Sequence, residues 1–278
     1  MEVIQISVRK ILVTVAPVGT DLPEDAQNPL SPDQVAEETI ACAEAGAGMV
    51  HLHVRDSEGN QTADITEFSK TLKLIREKSD IIIQGSTGGV SGLSLEERCA
   101  ALDDPTVEVA SLNMGSANFD EGVYINTLPD IRYWAKRMRE ANVVPELEIF
   151  EGGMVNNVEI LHDENVLQEP LIYNFCLGVK GALPASPDSV YFLKSIIPCG
   201  APWGVMHHGM SDLSLLATAI GMGASFVRVG FEDSIYLSPG KIARRNVDLV
   251  DNIVSLIRQM GMEAATPSEA RNFLGIAR

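Results

Sequence analysis

Residues 10–19 (KILVTVAPVG), 31–47 (SPDQVAEETIACAEAGA) and 48–56 (GMVHLHVRD) read in succession as strand, helix and strand. The outer runs are short and β-branched. The middle run opens on Ser31-Pro32-Asp33, a helix-start signature, and closes on Glu44-Ala45-Gly46, where glycine supplies C-cap chemistry. Two strands joined through a helix make a parallel βαβ unit.

The same rhythm continues outward, with β-branched runs about every thirty residues: DIIIQGST (80–87), EVASLNMG (108–115), VVPELEIF (143–150), LIYNFCLG (171–178), PWGVMHHG (202–209) and SFVRVGFE (225–232). Between them, Asp64 opens DITEFSKTLKLIREK, Ser94 opens SLEERCAAL, Pro129 opens PDIRYWAKRMREAN and Ser211-Asp212 opens SDLSLLATAIGMGA, with a second glycine closure at Ile220-Gly221. Eight βα units in about 250 residues is the arithmetic of an α/β (β/α)8 TIM barrel, with a short C-terminal helix near 266–276 left over. An open doubly wound sheet is the alternative; against it, neither GxGxxG nor GxxxxGK[ST] opens any helix. Without a linker, a low-complexity stretch or a strong internal repeat, residues 1–278 read as one barrel domain.

The 278 residues carry 38 acidic and 21 basic side chains, a net charge of −17, which argues against a nucleic-acid or anionic-membrane binder. Any anionic ligand must then meet a local positive feature. Cys42, Cys99, Cys176 and Cys199 form no CxxC pair, so neither a thiolate zinc site nor a disulfide framework is suggested, and a reducing cytoplasm is the expected home. The start, MEVIQISVRKILVTVAPVG, reads as a strand, and no run reaches the ~18 apolar residues of a membrane span.

Strand parity sorts the side chains. His51, His53 and Arg55 oppose Val50, Leu52 and Val54. Glu146 and Glu148 oppose Leu147 and Ile149. Phe226, Arg228, Gly230 and Glu232 oppose Val227, Val229 and Phe231, while Ser111 and Asn113 share one face, as do Gln84 and Ser86. The apolar sets are expected to meet the outer helices and the polar sets to point into the barrel, where charges must pair or bind a metal. His51 and His53 form a bidentate grip on one strand face; an ordinary pair of core histidines is the alternative. Strands two and eight both flank strand one in a closed barrel, so Glu232 can join them in a His2Glu set with an open coordination position, as in catalytic zinc sites. Arg228 suits an ion pair with an inward carboxylate such as Glu148, and Asp233 a general base, its alternative being a capping or loop aspartate. Ser86-Thr87-Gly88-Gly89 offers hydroxyls and unobstructed backbone N–H groups for a carboxylate or phosphate, or else is a plain glycine turn. His207 and His208 face opposite ways and read as core or surface histidines, His162 as an ordinary helix or loop residue. KIARR (241–245) reads as a solvated helix face, with a coenzyme phosphate contact as the alternative.

The strings VHLHVRDSEGN, IIIQGSTGG, SLNMGSANF, VVPELEIFEGGM and VRVGFEDSIYLSPG, in this order along nearly the whole chain, resemble the β-keto acid cleavage enzymes. The resemblance implies a barrel that, with zinc, converts a β-keto acid and acetyl-CoA into acetoacetate and a new acyl-CoA. Carried over by motif, the zinc ligands fall on His51, His53 and Glu232, the proton-transfer set on Asp233, Arg228 and Glu148, and the substrate-carboxylate pocket on Ser86, Gly89 and Ser111, with Asn113 just beyond. Asp21 aligns loosely with a glutamate that, in the family's aminohexanoate branch, holds the substrate's amino group. Met210 stands where an arginine is common after strand seven, and Ala224-Ser225 where Gly-His is common before the strand-eight arginine. The resemblance also implies a homo-oligomer, with a tetramer favoured. A metal-dependent aldolase or hydrolase that makes no use of acetyl-CoA, on the same barrel, is the competing activity, and a non-catalytic metal- or ligand-binding barrel a third reading.

Overall fold

The computed structural model describes residues 8–89, 92–119 and 121–276. Eight parallel strands follow one another around a closed barrel: Lys10–Val15, Met49–Leu52, Ile82–Ser86, Val109–Asn113, Val144–Ile149, Ile172–Phe175, Trp203–Met206 and Phe226–Val229. The eighth pairs back onto the first, Thr14 opposite Arg228, which closes the ring and excludes the open sheet. All eight lie within the β-branched runs, because full burial of both faces selects such residues in a parallel sheet.

The surrounding helices are α1 (Pro32–Ala45), α2 (Thr66–Arg76), α3 (Leu128–Glu140), α4 (Gly152–Asp163), α5 (Pro187–Ile196), α6 (Ser214–Gly221), α7 (Asn246–Gln259) and α8 (Pro267–Leu274). Capping boxes start three of them: Ser31 with Gln34, Thr127 with Asp130 and Thr266 with Glu269. Gly46 ends α1 in the left-handed conformation, as expected. Other local expectations need correction. Asp64 does not cap α2 but folds back on Thr66 N and Oγ1, and SLEERCAAL winds into a 3-10 turn over Glu97–Asp103. Helix α6 runs through Gly221, and the left-handed glycine is Gly223. KIARR is not a helix face: Lys241–Ile242 pairs antiparallel with Tyr236–Ser238, and Arg245 precedes α7 and binds Glu38. Helix α5 opens on Ser186-Pro187-Asp188, the same signature as α1, with Ser186 Oγ accepting from Ser189 N; α4 and α7 follow Glu151 and Arg245 and carry no such start. His162 lies in α4, half-buried.

Parity holds around the ring. Val50, Leu52, Val54, Leu147, Ile149, Val227, Val229 and Phe231 belong to the core between sheet and helices. The opposite faces fill the barrel in layers. Leu12, Met49, Ile82, Val109, Ile172 and Phe226 form an apolar floor, closed from below by Ala265, Ala270 and Leu274. Helix α8 is thus a plug at the end remote from the strand C-termini, held there by Arg271, which reaches Asp80 and Glu108. Above the floor the inward residues turn polar: Thr14, His51, Gln84, Ser111, Glu146, Asn174 and Arg228, every one buried. Among the described residues no helix is long and apolar enough to cross a membrane.

Candidate active site

The polar layer opens into a cavity of about 130 Å³ at the C-terminal end of the strands. His51, His53, Ser86, Gly89, Glu148, Arg228, Glu232 and Asp233 all line it. Barrel enzymes place their chemistry at this end.

His51 is on strand two, His53 just past it, and Glu232 in the turn after strand eight. Their donor atoms lie within 4.8 Å of one another. His51 Nε2 and His53 Nε2 stand 3.6 and 3.5 Å from Glu232 Oε1. Two features bring Glu232 across strand one. Its N–H donates to Ala16 O at 3.1 Å, and Gly230, at φ 138°, lets the chain press onto that residue: a Cβ there would stand 2.2 Å from Ala16 O. The donor set also suits a divalent ion chemically. Burial, aided by the Arg228 charge, lowers the His51 pKa to about 3, so the ring is neutral. Gln84 Oε1 accepts from His51 Nδ1 at 2.6 Å, which selects the tautomer whose Nε2 lone pair faces the cluster. His53 Nδ1 meets the Gln61 amide at 3.0 Å. Burial opposes ionisation of Glu232, but its neighbours, His53 foremost and Arg228 with it, outweigh it and hold its carboxyl well below the usual range.

Beside the cluster, Arg228 grips Asp233 with a fork, Nε donating to Oδ2 at 2.8 Å and Nη2 to Oδ1 at 2.6 Å, and Nη2 also donates to Glu232 at 3.1 Å. Its Nη1 stands 3.7 Å from Glu148 Oε1 without a hydrogen bond. Glu148 is the least neutralised carboxyl: burial pushes its pKa up to about 8, against the pull of Arg228 and with the push of Glu146. Glu146, one layer down, accepts from Asn174 Nδ2 at 2.8 Å, and burial raises it too. Four carboxyls thus crowd one guanidinium. A divalent ion would offset that excess, and the orphaned Arg228 Nη1 leaves a donor for a ligand.

The glycine turn differs from expectation. Its backbone N–H groups are not free: Gly88 donates to Ser86 Oγ at 3.1 Å and Gly89 to Tyr124 Oη at 2.9 Å. Hydroxyls therefore face the cavity in their place. Ser111 Oγ lies 3.5 Å below Ser86 Oγ, and Asn113 Oδ1 accepts from Gly115 N; both are buried beneath the cavity wall. Asp21 is exposed on the loop between strand one and α1 and does not line the cavity. Met210 is buried in the outer core, also off the wall. His207 is fully buried and donates Nε2–H to Asp212 O, while His208 reaches the cavity.

Sequence reading did not single out Phe119, Tyr124, Phe150, Val179 and Met206, which line the far wall. Phe119 and Tyr124 sit on a hairpin, Ala117–Phe119 against Gly122–Tyr124, between strand four and α3. No periodicity marks so short a hairpin. Asn174 had a visible signal, a lone amide inside LIYNFCLG.

Residues 10–276 match the profile of the family described as beta-keto acid cleavage enzyme. The chain is 37% identical, over 96% of its length and 98% of the relative's, to a 3-keto-5-aminohexanoate cleavage enzyme of Fusobacterium nucleatum subsp. nucleatum. It is 32% identical, over 95% and 94%, to a 3-oxoadipate:acetyl-CoA acetyltransferase of Cupriavidus necator. Among solved structures, ObcA in a ternary complex with a C4-CoA adduct and oxalate superposes with a TM-score of 0.77 at 21% identity, covering 89% of this chain and 67% of that one, a likeness of fold. With a match that spans all eight strands and both histidines, the chain belongs to the beta-keto acid cleavage enzyme family.

Proposed function

We propose that this protein is a zinc-dependent acyltransferase that takes a β-keto acid, R–CO–CH2–COO⁻, and acetyl-CoA to acetoacetate and R–CO–CoA. The observation that carries the reading is the His51–His53–Glu232 cluster directly beside the Arg228–Asp233 fork. A zinc ion held by those three ligands would supply Lewis-acid polarisation of the keto oxygen. Asp233, held by two hydrogen bonds, takes a proton from the carbon between ketone and carboxylate. That carbanion bonds to the acetyl carbon and expels coenzyme A thiolate. The thiolate then adds to the former keto carbon, the old carbon–carbon bond breaks, and the released acetoacetate carbanion regains its proton from Asp233. Arg228 keeps Asp233 oriented, and Glu148 stands behind Arg228 as a carboxyl that burial favours in its neutral form. Ser86 and the Gly89 turn, backed by Ser111 and Asn113, form the substrate-carboxylate side. Asp21 has no part in this assignment.

A reducing cytoplasm suits the four unpaired cysteines, three of them buried. A homo-oligomer, with a tetramer favoured, suits the apolar face of α5, where Tyr191 is 68% exposed beside Phe192 and Ile196.

The test is zinc-loaded protein with acetyl-CoA and a chemically broad panel of β-keto acids, following acetoacetate and new acyl-CoA. Formation of both, dependent on acetyl-CoA and lost in Glu232→Ala, is the expected result. Turnover without acetyl-CoA would favour an aldolase or hydrolase, and no acetoacetate from any acid would overturn the reading.

A further inference from the structure

Tyr124 carries one polar hydrogen without a partner among the described residues. A phenol has two lone pairs and one proton. Gly89 N–H donates to Tyr124 Oη at 2.9 Å, and Arg98 Nη2 donates to it at 3.2 Å, so both lone pairs are taken. Among the described residues no acceptor lies within hydrogen-bond reach of the phenolic proton. Yet Tyr124 is only 5% exposed and lines the mouth cavity. A buried O–H without an acceptor is costly unless a ligand completes it.

The surroundings show what that ligand must be. Tyr124 Oη and Ser86 Oγ crowd the same glycine: a Cβ on Gly88 would stand 2.7 Å from the first and 3.4 Å from the second. Arg98 itself does not line the mouth cavity. It is pinned behind the ring by Thr87 O and Asn126 Oδ1, with its guanidinium carbon 5.3 Å from the Tyr124 ring centroid and 4.0 Å from that of Trp134. Its charge reaches the cavity through the phenol it polarises. This is a positive feature of the kind an acidic protein needs for an anionic ligand, and it stands apart from Arg228, whose Nε and Nη2 are held by Asp233 and Glu232 and which keeps only Nη1 free. The groups on the far wall, Phe119, Phe150 and Val179, offer no competing donor or acceptor from their side chains.

We infer that Tyr124 is a substrate-binding residue, donating its phenolic proton to the carboxylate of the β-keto acid, with Arg98 as the positioning residue that fixes and polarises it. The inference rests on the proposed function, since it takes a β-keto acid as the ligand.

The experiment compares acetoacetate with its uncharged methyl ester as probes. Calorimetric binding is measured to zinc-loaded wild type and Tyr124→Phe, with unfolding curves confirming that the variant is folded. Phenylalanine retains the ring against Phe119 and Phe150 and removes one oxygen. The expected result is a loss of about tenfold or more in affinity for acetoacetate, the range of a hydrogen bond to a charged group, with ester affinity unchanged. A merely structural role would weaken both probes alike. An equal loss for acid and ester, or no loss for the acid, overturns the assignment of Tyr124. Arg98→Gln gives a second readout, a smaller loss of acid-over-ester preference, and an unchanged preference there overturns the role of Arg98. Wild type that binds neither probe but retains zinc would instead overturn the β-keto acid reading, and this assignment with it.

Discussion

Replacing Arg228 with methionine removes a cation that stands, with its side chain 3% exposed, among three carboxyl groups. Two short bonds to Asp233 and one to Glu232 disappear; Asp233 stays fully buried and Glu232 half-buried. Breaking a buried pair from one side costs about 3–5 kcal/mol, because the abandoned charge is not rehydrated. In a chain of this size each kcal/mol lowers Tm by about 2–4 °C, so a fall of about 10 °C is expected. The measurement is urea unfolding of wild type and Arg228→Met in chelator, so that metal binding does not enter. It should be made at about pH 8 and again at about pH 5.5. Arg228 favours the ionised forms of Glu148 and Glu232, so its removal raises their native-state affinity for protons. As pH falls, the variant's native state takes up more protons than wild type, and the penalty shrinks. A penalty under about 1 kcal/mol at the higher pH, or one no smaller at the lower pH, would refute the view that Arg228 neutralises a buried acidic cluster.

Three further outcomes follow from the same geometry. Glu148 has a native pKa of about 8 against 4.5 for the unconstrained group, so metal-free wild type should lose stability as pH rises through that window, by up to about 1.4 kcal/mol per unit; Glu148→Gln should flatten the slope, and identical slopes in urea titrations would count against it. Gln84→Leu deletes the acceptor that orients His51 and should weaken zinc about 10–100-fold in equilibrium dialysis, where an unchanged affinity would contradict the tautomer argument. Gly230→Ala places a Cβ against Ala16 O at a backbone angle that favours glycine, so it should displace Glu232 and reduce both stability and bound zinc; full occupancy at wild-type Tm would show that the turn adjusts freely.

The parts of the fold and site visible in the chain are those set by local period. Alternation along VHLHVRD assigns both histidines to one face, and alternation along PELEIF and FVRVGFE does the same for Glu146, Glu148 and Arg228. The eight β-branched runs and their spacing point to the barrel, and the pairing of the eighth strand with the first excludes the open sheet that the same rhythm also allows. Expectations based on single turn residues fared worse. Gly221 continues a helix, Asp64 folds onto Thr66, and Lys241–Ile242 of KIARR pairs as a strand, because tertiary packing chooses among several conformations such residues allow.

The sequence by itself determined which residues face inward and, through ordered motifs along nearly its whole length, the family resemblance. Only the tertiary structure decided how those residues meet. Thr14 pairs with Met49 on one side and Arg228 on the other, and this stagger sets the depth of every inward side chain. Depth then separates an apolar floor plugged by α8 from the polar layer and the mouth. Glu232 reaches the histidines from a turn beyond its strand, and Tyr124 takes Gly89 N–H from a hairpin thirty-five residues away. Side-chain period is a property of neighbours in sequence. The convergence of loops over a barrel mouth is set by long-range packing, which no local pattern encodes.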